Sequence, residues 1–419
     1  MVWPRGFGGL PSSGGSEPEV KLVEMFPHSD FGQTKLGMRH SLGYGAMAAF
    51  HKKVKLLQGL LNGEVAQTGP FFVSVDITRR CNLRCLCCRY HSPLVEHSPL
   101  VELPPQADPS IQDLSPQIFR KLCADLKVMR PANLIFVSQG EPFLHHHLFD
   151  LIHQAKEAGL HVTLYSNGTL LEEKVIKALL ASRLDVLKVS LWASSLKEYE
   201  ANYPGTNPEN FHRVVAGLKL LAEIKAQERC ILPLVELHYP INRYNFQGIE
   251  ALAGLAQATG CQAVFFAPLE THRRRFAEAA LTREEEEWVC RTLVRMKKKL
   301  RSGSIHHNIN KVLRRYRYGE AVWEKVPCYI PWLHVRILVD GTVLPCNLCD
   351  LPVGNLNGES LQDIWNSEAL RRFRRQTLTR EGLRAMASHC DCGRCCYLEQ
   401  NVRVHRVFNW FSPFTRLWP

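Results

Sequence analysis

Short apolar, β-prone runs alternate with longer amphipathic ones through the middle of this chain. The first run is Phe71–Ile77, and the helical pattern Leu114–Met129 follows it. Leu114-Ser115-Pro116 suits that helix start, because proline is tolerated in a first turn. A strand at Leu134–Ser138 leads to a helix at Leu148–Ala158, closed by Gly159. The pattern repeats at His161–Tyr165 with Glu172–Ala181, and at Val186–Trp192 with Pro208–Ala226. It repeats again at Leu232–His238 with Phe246–Ala258, closed by Gly260. The last unit is Ala263–Ala267 with Thr282–Arg301, whose helix opens on the capping box Thr282-x-x-Glu285. Six strand–helix units in order predict a parallel sheet with helices outside, an α/β fold. Six units suit a partial (β/α)6 barrel over residues 71–301. Chemistry in such barrels sits at the carboxyl ends of the strands, so functional residues are expected to follow a strand.

The flanks read differently. Residues 1–43 read as a flexible leader, since 1–20 are rich in Gly, Pro and Ser. Residues 44–62 read as a basic amphipathic helix stopped by Gly63, with 44–70 as helix and linker. Such a helix either packs on the main domain or lies on a membrane surface. Residues 302–327 are expected to be a linker. Beyond them, Val335–Val339 and Thr342–Leu344 flank Asp340-Gly341 and read as a β-hairpin. A helix at Ser360–Arg374 follows, and 328–400 form a small second domain. The tail 401–419 interleaves Trp410, Phe411, Phe414 and Trp418 with Arg403, Arg406 and Arg416. It either packs on the protein or meets a membrane surface or partner.

Composition narrows the class. With 419 residues, 45% hydrophobic and 22% charged, the chain has room for one large and one small domain. The net charge of +12 gives a general attraction to anions. No zinc-finger, RNA-recognition or helix-turn-helix pattern accompanies it, which argues against a nucleic-acid partner. The start of the chain has no secretory signal, and there is no run of 18 apolar residues. A cytoplasmic protein is expected, with peripheral contact at the inner membrane surface as the variant. In that compartment fifteen cysteines point to metal or redox roles rather than disulfides.

The cysteines cluster. Cys81, Cys85 and Cys88 stand at C-x3-C-x2-C spacing, directly after the first strand. Three thiolates in one loop can hold three irons of a cubane and leave the fourth open. A closed zinc site is the plainer rival, but it needs four ligands, and Cys87 adjoins Cys88 too closely to aim at the same metal. Polar residues follow the later strands in turn: Gln139-Gly140-Glu141-Pro142, Ser166-Asn167-Gly168, Ser190 with Trp192, then Asn242 and Asn245. Each alone reads as a turn or cap. His145-His146-His147 reads as a loop, because three consecutive histidines cannot face one metal.

Taken together, the cysteine loop and this series resemble the radical S-adenosylmethionine (SAM) superfamily. The resemblance implies that Cys81, Cys85 and Cys88 hold a 4Fe–4S cluster whose open iron chelates SAM. Gly140-Glu141-Pro142 looks like the family's glycine-rich acidic motif, with Gln139 in place of its first glycine. Glu141 would then meet the SAM ammonium. Ser166, Asn167 and Ser190 resemble the polar shell near the ribose and carboxylate. Cys87 stands where the family usually has an aromatic residue.

The C-terminal third resembles the SPASM and twitch extensions of that family. Cys328-x12-Gly341-x4-Cys346, then Gly354-Asn355-Leu356, then Cys392-x2-Cys395 occur in the matching order. The resemblance implies one auxiliary 4Fe–4S cluster on Cys328, Cys346, Cys392 and Cys395. Cys349, Cys390 and Cys396 are spare, able to exchange into that set or to support a second cluster. Zinc on four thiolates remains the alternative metal. The activity implied is reductive cleavage of SAM to a 5′-deoxyadenosyl radical that abstracts a substrate hydrogen, in an oxidation or maturation. An electron donor such as ferredoxin or flavodoxin is implied too. A redox-neutral epimerase is the enzymatic rival and would need a hydrogen donor such as Cys123, Cys230 or Cys261. A zinc-stabilised binding protein is the rival without turnover. The substrate, whether peptide, sugar, lipid or small metabolite, is not legible. No peptide-recognition domain is evident before Phe71, which argues against a leader-peptide maturase.

Overall fold

The computed structural model of the chain describes residues 44–94, 107–270, 276–300, 305–318, 326–390 and 395–411. The strands are β1 Phe72–Asp76, β2 Asn133–Val137, β3 Val162–Ser166, β4 Val186–Ser190 and β5 Leu234–Ile241. They continue as β6 Ala263–Pro268, β7 His306–His307, β8 His334–Ile337, β9 Thr342–Leu344 and β10 Gly354–Asn355. The helices are α1 Tyr44–Asn62, α2 Pro116–Met129, α3 Leu148–Glu157, α4 Glu173–Ala181, α5 Leu196–Asn202 and α6 Glu209–Gln227. After these come α7 Ile249–Ala258, α8 Arg283–Leu300, α9 Ile309–Tyr318, α10 Leu361–Trp365, α11 Glu368–Thr377, α12 Arg380–Ala385 and α13 Leu398–Phe411.

The strands form one sheet in the order β10-β9-β8-β1-β2-β3-β4-β5-β6-β7. Pairing from β8 through β1 to β7 is parallel, and β9 and β10 run antiparallel at one edge. The sheet does not close on itself, which makes it the expected α/β partial barrel. Local chemistry sets the element starts. Ser115 Oγ accepts from the Gln117 amide at 3.2 Å beside Pro116, and Thr282 and Glu285 exchange both bonds of their capping box at 3.3 and 2.7 Å.

Several expectations change. Residues 305–318, expected as linker, form β7 and α9 instead. A two-residue strand is too short to show a period. Asn308 fixes the junction by accepting from the Phe266 amide at 2.9 Å and donating to its carbonyl at 2.7 Å. The helix expected at 360–374 is two helices, because Ser367 starts a second one by accepting from the Leu370 amide. The described part of the tail continues α13, with Val402, Val404, Val407 and Phe408 buried. Trp418, Phe414 and Arg416 lie outside the described residues.

The hairpin is not a separate lobe. Its first strand pairs in parallel with β1, Phe72 opposite His334 and Val75 opposite Ile337. Its Asp340-Gly341 turn forms as expected, with Gly341 at φ 83°, a conformation that favours glycine. The apolar face of α1 packs on the protein through Leu56, Leu57 and Leu60, and Lys52 caps the Pro70 carbonyl at 2.9 Å. No helix among the described residues is long and apolar enough to cross a membrane.

Arg374 joins these parts. It is fully buried and donates to the carbonyls of Pro331, Glu64 and Trp365 and to Asn366 Oδ1, at 2.8–3.1 Å. Its guanidinium lies over the rings of Trp332 and Trp365. Arg374→Met should therefore destabilise the protein by about 3 kcal/mol, since four acceptors lose their donor. Arg374→Lys should not recover this, because an ammonium cannot reproduce the planar fork. Denaturant unfolding of both variants checks the expectation, and a wild-type midpoint for Arg374→Lys would contradict it.

Candidate active site

A β-strand turns alternate side chains to one face. Here that face encloses a cavity of about 580 Å³. Ser74 and Asp76 reach it from β1, Lys188 and Ser190 from β4, and His334 and Arg336 from β8. The loops after β1 and β2 bring Cys81, Cys85, Cys88, Gly140, Glu141 and Pro142 to the same cavity, and the end of β3 and the loop after it bring Ser166 and Asn167. The rule that site residues follow strands thus holds for this group. Asn242 and Asn245 do not line it. They are buried and brace one another and the Trp192 and Pro240 carbonyls. His145 is also structural, with its ring bonded to the Leu114 carbonyl and the His147 amide. Cys123, Cys230 and Cys261 do not line the cavity, whereas Cys87 and Cys396 do.

Glu141 is the organiser. Its carboxylate accepts from Ser166 Oγ at 2.8 Å, the Asn167 amide at 2.7 Å and the Phe143 amide at 3.1 Å. Burial pushes its carboxyl up to about 7, against three hydrogen bonds that favour the anion. Asn167 donates onward to Asn82 Oδ1 at 2.8 Å, so the cysteine loop is tied to the loop after β3. Ser190 Oγ accepts from the Trp192 indole at 2.8 Å.

Both departures from the family pattern have local partners. Gln139 Oε1 accepts from Arg79 Nε at 2.8 Å, a bond no glycine could make. Cys87 is buried in a small apolar cluster with Leu269, Phe276 and Ala279. Gly140 is required by space: a Cβ there would lie 2.0 Å from the Arg80 carbonyl oxygen.

The thiols suit an iron–sulfur group. Burial pushes Cys81 up to about 11 and raises Cys85 and Cys88 as well, so thiolates here need a bound cation. Backbone amides point at the sulfurs: Tyr90 and His91 at Cys88, Leu348 at Cys346, and Tyr397 at Cys395, all at 3.3–3.4 Å. Hydrogen bonds to sulfur are one of the means by which proteins tune such clusters. Among the described residues no three ligating side chains close to the shell of a single ion.

In the C-terminal part, Cys328 and Cys395 are buried and Cys346 is half-buried, while Cys392 lies outside the described residues. Cys349 and Cys390, expected as spare ligands, are joined in a disulfide across an antiparallel bridge.

Comparison with known proteins follows this geometry. Residues 75–235 match the radical SAM superfamily, and residues 328–401 match the SPASM iron–sulfur cluster-binding domain. Residues 75–235 are thus a radical SAM superfamily domain, followed by a SPASM domain at 328–401. The family's cofactors come with that membership: a 4Fe–4S cluster with SAM, and an auxiliary iron–sulfur cluster from the SPASM domain. Among curated relatives, the AdoMet-dependent heme synthase of Methanosarcina barkeri is 23% identical over 78% of this chain and 90% of its own length. The PqqA peptide cyclase of Xanthomonas campestris pv. campestris is 26% identical over 73% and 76%. Among solved structures, Streptococcus suis SuiB bound to precursor peptide SuiA superposes with a TM-score of 0.58, covering 85% of this chain and 78% of that one. Native anSMEcpe with bound AdoMet gives 0.54, covering 83% and 98%. At 14% identity these two establish likeness of fold.

Sequence reasoning missed the polar residues inside the strands. Asp76, Lys188, Glu236, His238, His334 and Arg336 interrupt otherwise apolar strands at alternate positions. That alternation was the available signal. Lys188 and Glu236 pair at 2.9 Å. Burial works against the ammonium, but the Glu236 carboxylate prevails and holds Lys188 above its ordinary range.

Gly140→Ala should force the loop after β2 off the Arg80 backbone. The variant is expected to lose most 5′-deoxyadenosine formation and to load less iron, read by chromatography and iron assay. Full iron and full SAM cleavage would show that this close approach is dispensable.

Proposed function

We propose that this radical SAM enzyme modifies a peptide, through an oxidation or maturation step assisted by the auxiliary cluster. The carrying observation is that one cavity is lined both by the cysteine loop and Glu141 and by Asn347, Cys396 and Tyr397 of the C-terminal domain. The peptide assignment is supported by the relatives named for peptide cyclisation and for a bound precursor peptide.

In this reading Cys81, Cys85 and Cys88 hold the SAM cluster, and Cys328, Cys346, Cys392 and Cys395 hold the auxiliary one. When bound, a cluster there would supply the electron for cleavage of the C5′–S bond of SAM to methionine and a 5′-deoxyadenosyl radical, the species that would abstract hydrogen. The chain's own residues position and enclose. Glu141 has about four acceptor positions, three of them occupied, and offers the remaining one to the SAM ammonium. Gly140 and Pro142 shape that loop, while Ser166, Asn167 and Ser190 would border the ribose and carboxylate of SAM. The buried barrel wall excludes water from the radical.

Protein purified and reconstituted without oxygen should hold about eight irons, from two four-iron cubanes. Replacing Cys81, Cys85 and Cys88 together should leave about half of that iron. Stoichiometric zinc in the wild type would refute the two-cluster assignment.

Glu141→Gln keeps the side chain's size but removes the charge and replaces one acceptor oxygen with a donor, so at least one of the bonds from Phe143, Ser166 and Asn167 is lost with it. SAM affinity should fall about tenfold or more, as loss of a charge-assisted hydrogen bond predicts. Iron content should stay unchanged. Equilibrium binding of SAM to the reconstituted variant decides the matter, and wild-type affinity would remove Glu141 from the SAM site.

A further inference from the structure

The cavity wall on β3 to β6 carries a ring surface that the SAM site does not use. These strands are buried almost throughout, yet three of them each leave one ring half-buried. In β3 it is Tyr165, in β5 His238 and in β6 Phe265. All three line the cavity, so the part of each ring that stays uncovered faces it. Tyr165 stands one residue before the end of its strand, and His238 and Phe265 three residues before theirs. They therefore lie deeper in the barrel than Ser166 and Ser190, which end β3 and β4.

Register brings the rings together. Tyr165 stands opposite Lys188, His238 opposite Ser190, and Phe265 opposite His238. The Tyr165 and His238 rings meet edge to face with centroids 5.6 Å apart, and those of His238 and Phe265 are tilted at 5.7 Å. Lys188 Nζ backs them, 4.6 Å from the Phe265 centroid and 5.6 Å from that of Tyr165. Its charge is matched by Glu236 at 2.9 Å.

The polar atoms narrow what covers this surface. Other half-buried rings of the cavity are satisfied within the protein: Tyr90 Oη by Arg336, Trp192 Nε1 by Ser190 and Tyr397 Oη by Asn347. His91 and His334 each have an unpaired nitrogen, but it is shielded. His238 differs, because neither of its ring nitrogens has a hydrogen-bond partner among the described residues and neither is shielded. Burial, with the Lys188 ammonium nearby, pushes His238 down to about 3. Its ring is therefore neutral, with one N–H to donate and one nitrogen to accept.

A ligand for this wall has to match ring faces and edges and to offer the imidazole a hydrogen bond. Tilted and edge-to-face ring contacts are favourable beyond the area they bury. An ammonium behind the rings attracts a further π face and repels a cation. Glu236 already balances that ammonium, so no carboxylate is demanded. A neutral aromatic ring with a polar edge, such as a phenol hydroxyl or an indole N–H, meets all of these conditions.

We propose that Tyr165, His238 and Phe265, backed by Lys188, form a substrate subsite that takes an aromatic side chain, with His238 bonded to the polar edge of its ring. The proposal rests on the peptide reading above and deepens it by naming the kind of residue that is bound.

The test uses full-length protein, reconstituted without oxygen and saturated with SAM. The probes are the N-acetyl methylamides of tyrosine, tryptophan, phenylalanine, cyclohexylalanine and leucine, with p-cresol and 3-methylindole as bare rings. Affinities are read without turnover, by ligand-observed saturation-transfer NMR. Saturable binding of the aromatic amides is expected, phenylalanine about fivefold tighter than cyclohexylalanine. Tyrosine should bind about fivefold tighter again, through the bond to His238. Phe265→Leu should weaken all three aromatic amides about fivefold. His238→Phe keeps a ring and should erase the preference for tyrosine over phenylalanine. Melting temperature and iron content are measured for each variant, and the wild-type comparison of phenylalanine with cyclohexylalanine decides if a variant fails to fold. No saturable aromatic binding by the wild type, equal affinity for those two amides, or a tyrosine preference that survives His238→Phe overturns the subsite. So does displacement of SAM by the probes, which would assign the rings to SAM. Binding of the bare rings with no gain for the amides supports the subsite and counts against the peptide reading. Amide binding that Phe265→Leu leaves untouched overturns the subsite and spares the peptide reading.

Discussion

The ion pair between Asp76 and Arg336 holds the two halves of the molecule in one piece. Their closest atoms are 2.6 Å apart, and their side chains are 0% and 7% exposed. The same guanidinium donates to Tyr90 Oη at 2.8 Å, just beyond the cysteine loop, and to the Asn347 carbonyl, just beyond Cys346. A buried charge without its partner is strongly destabilising, so this contact forces β1, the cysteine loop and the hairpin into one register. The parallel pairing of β8 with β1 follows the same constraint. The C-terminal domain is therefore part of the barrel wall, and its residues face the same cavity as the SAM-cluster loop.

Around that pair, the interior departs from an ordinary hydrophobic barrel core. Apolar residues such as Val73, Val75, Leu187 and Leu237 face the helices, while polar ones face the cavity between them. Lys188 is matched by Glu236 and lies over the Phe265 ring at 4.6 Å. Glu141 carries three hydrogen bonds and binds two loops together. The buried charges are thus paired or hydrogen-bonded, as burial requires.

The departures from the family pattern show how local changes are absorbed. Gln139 in place of glycine reaches Arg79, which in turn donates to the Asp108 and Ile111 carbonyls. Cys87 in place of an aromatic residue joins a compact apolar cluster. Gly140 has no such latitude, because backbone presses on backbone there.

The order of strands and helices was legible because each element is long enough to show its period. Caps such as Ser115 and the Thr282–Glu285 box mark their starts. The cysteine spacings were equally local, since three ligands of a cluster can come from one loop. Tertiary structure alone decided that β8 pairs with β1, that residues 305–318 complete the sheet, and that Cys349 meets Cys390. Those contacts join residues far apart in the chain through elements too short to carry a period. The polar wall of Asp76, His334 and Arg336 belongs to the same class. Each residue is a polar exception within a short apolar strand, and only the pairing of β8 with β1 beside one cavity makes them a set.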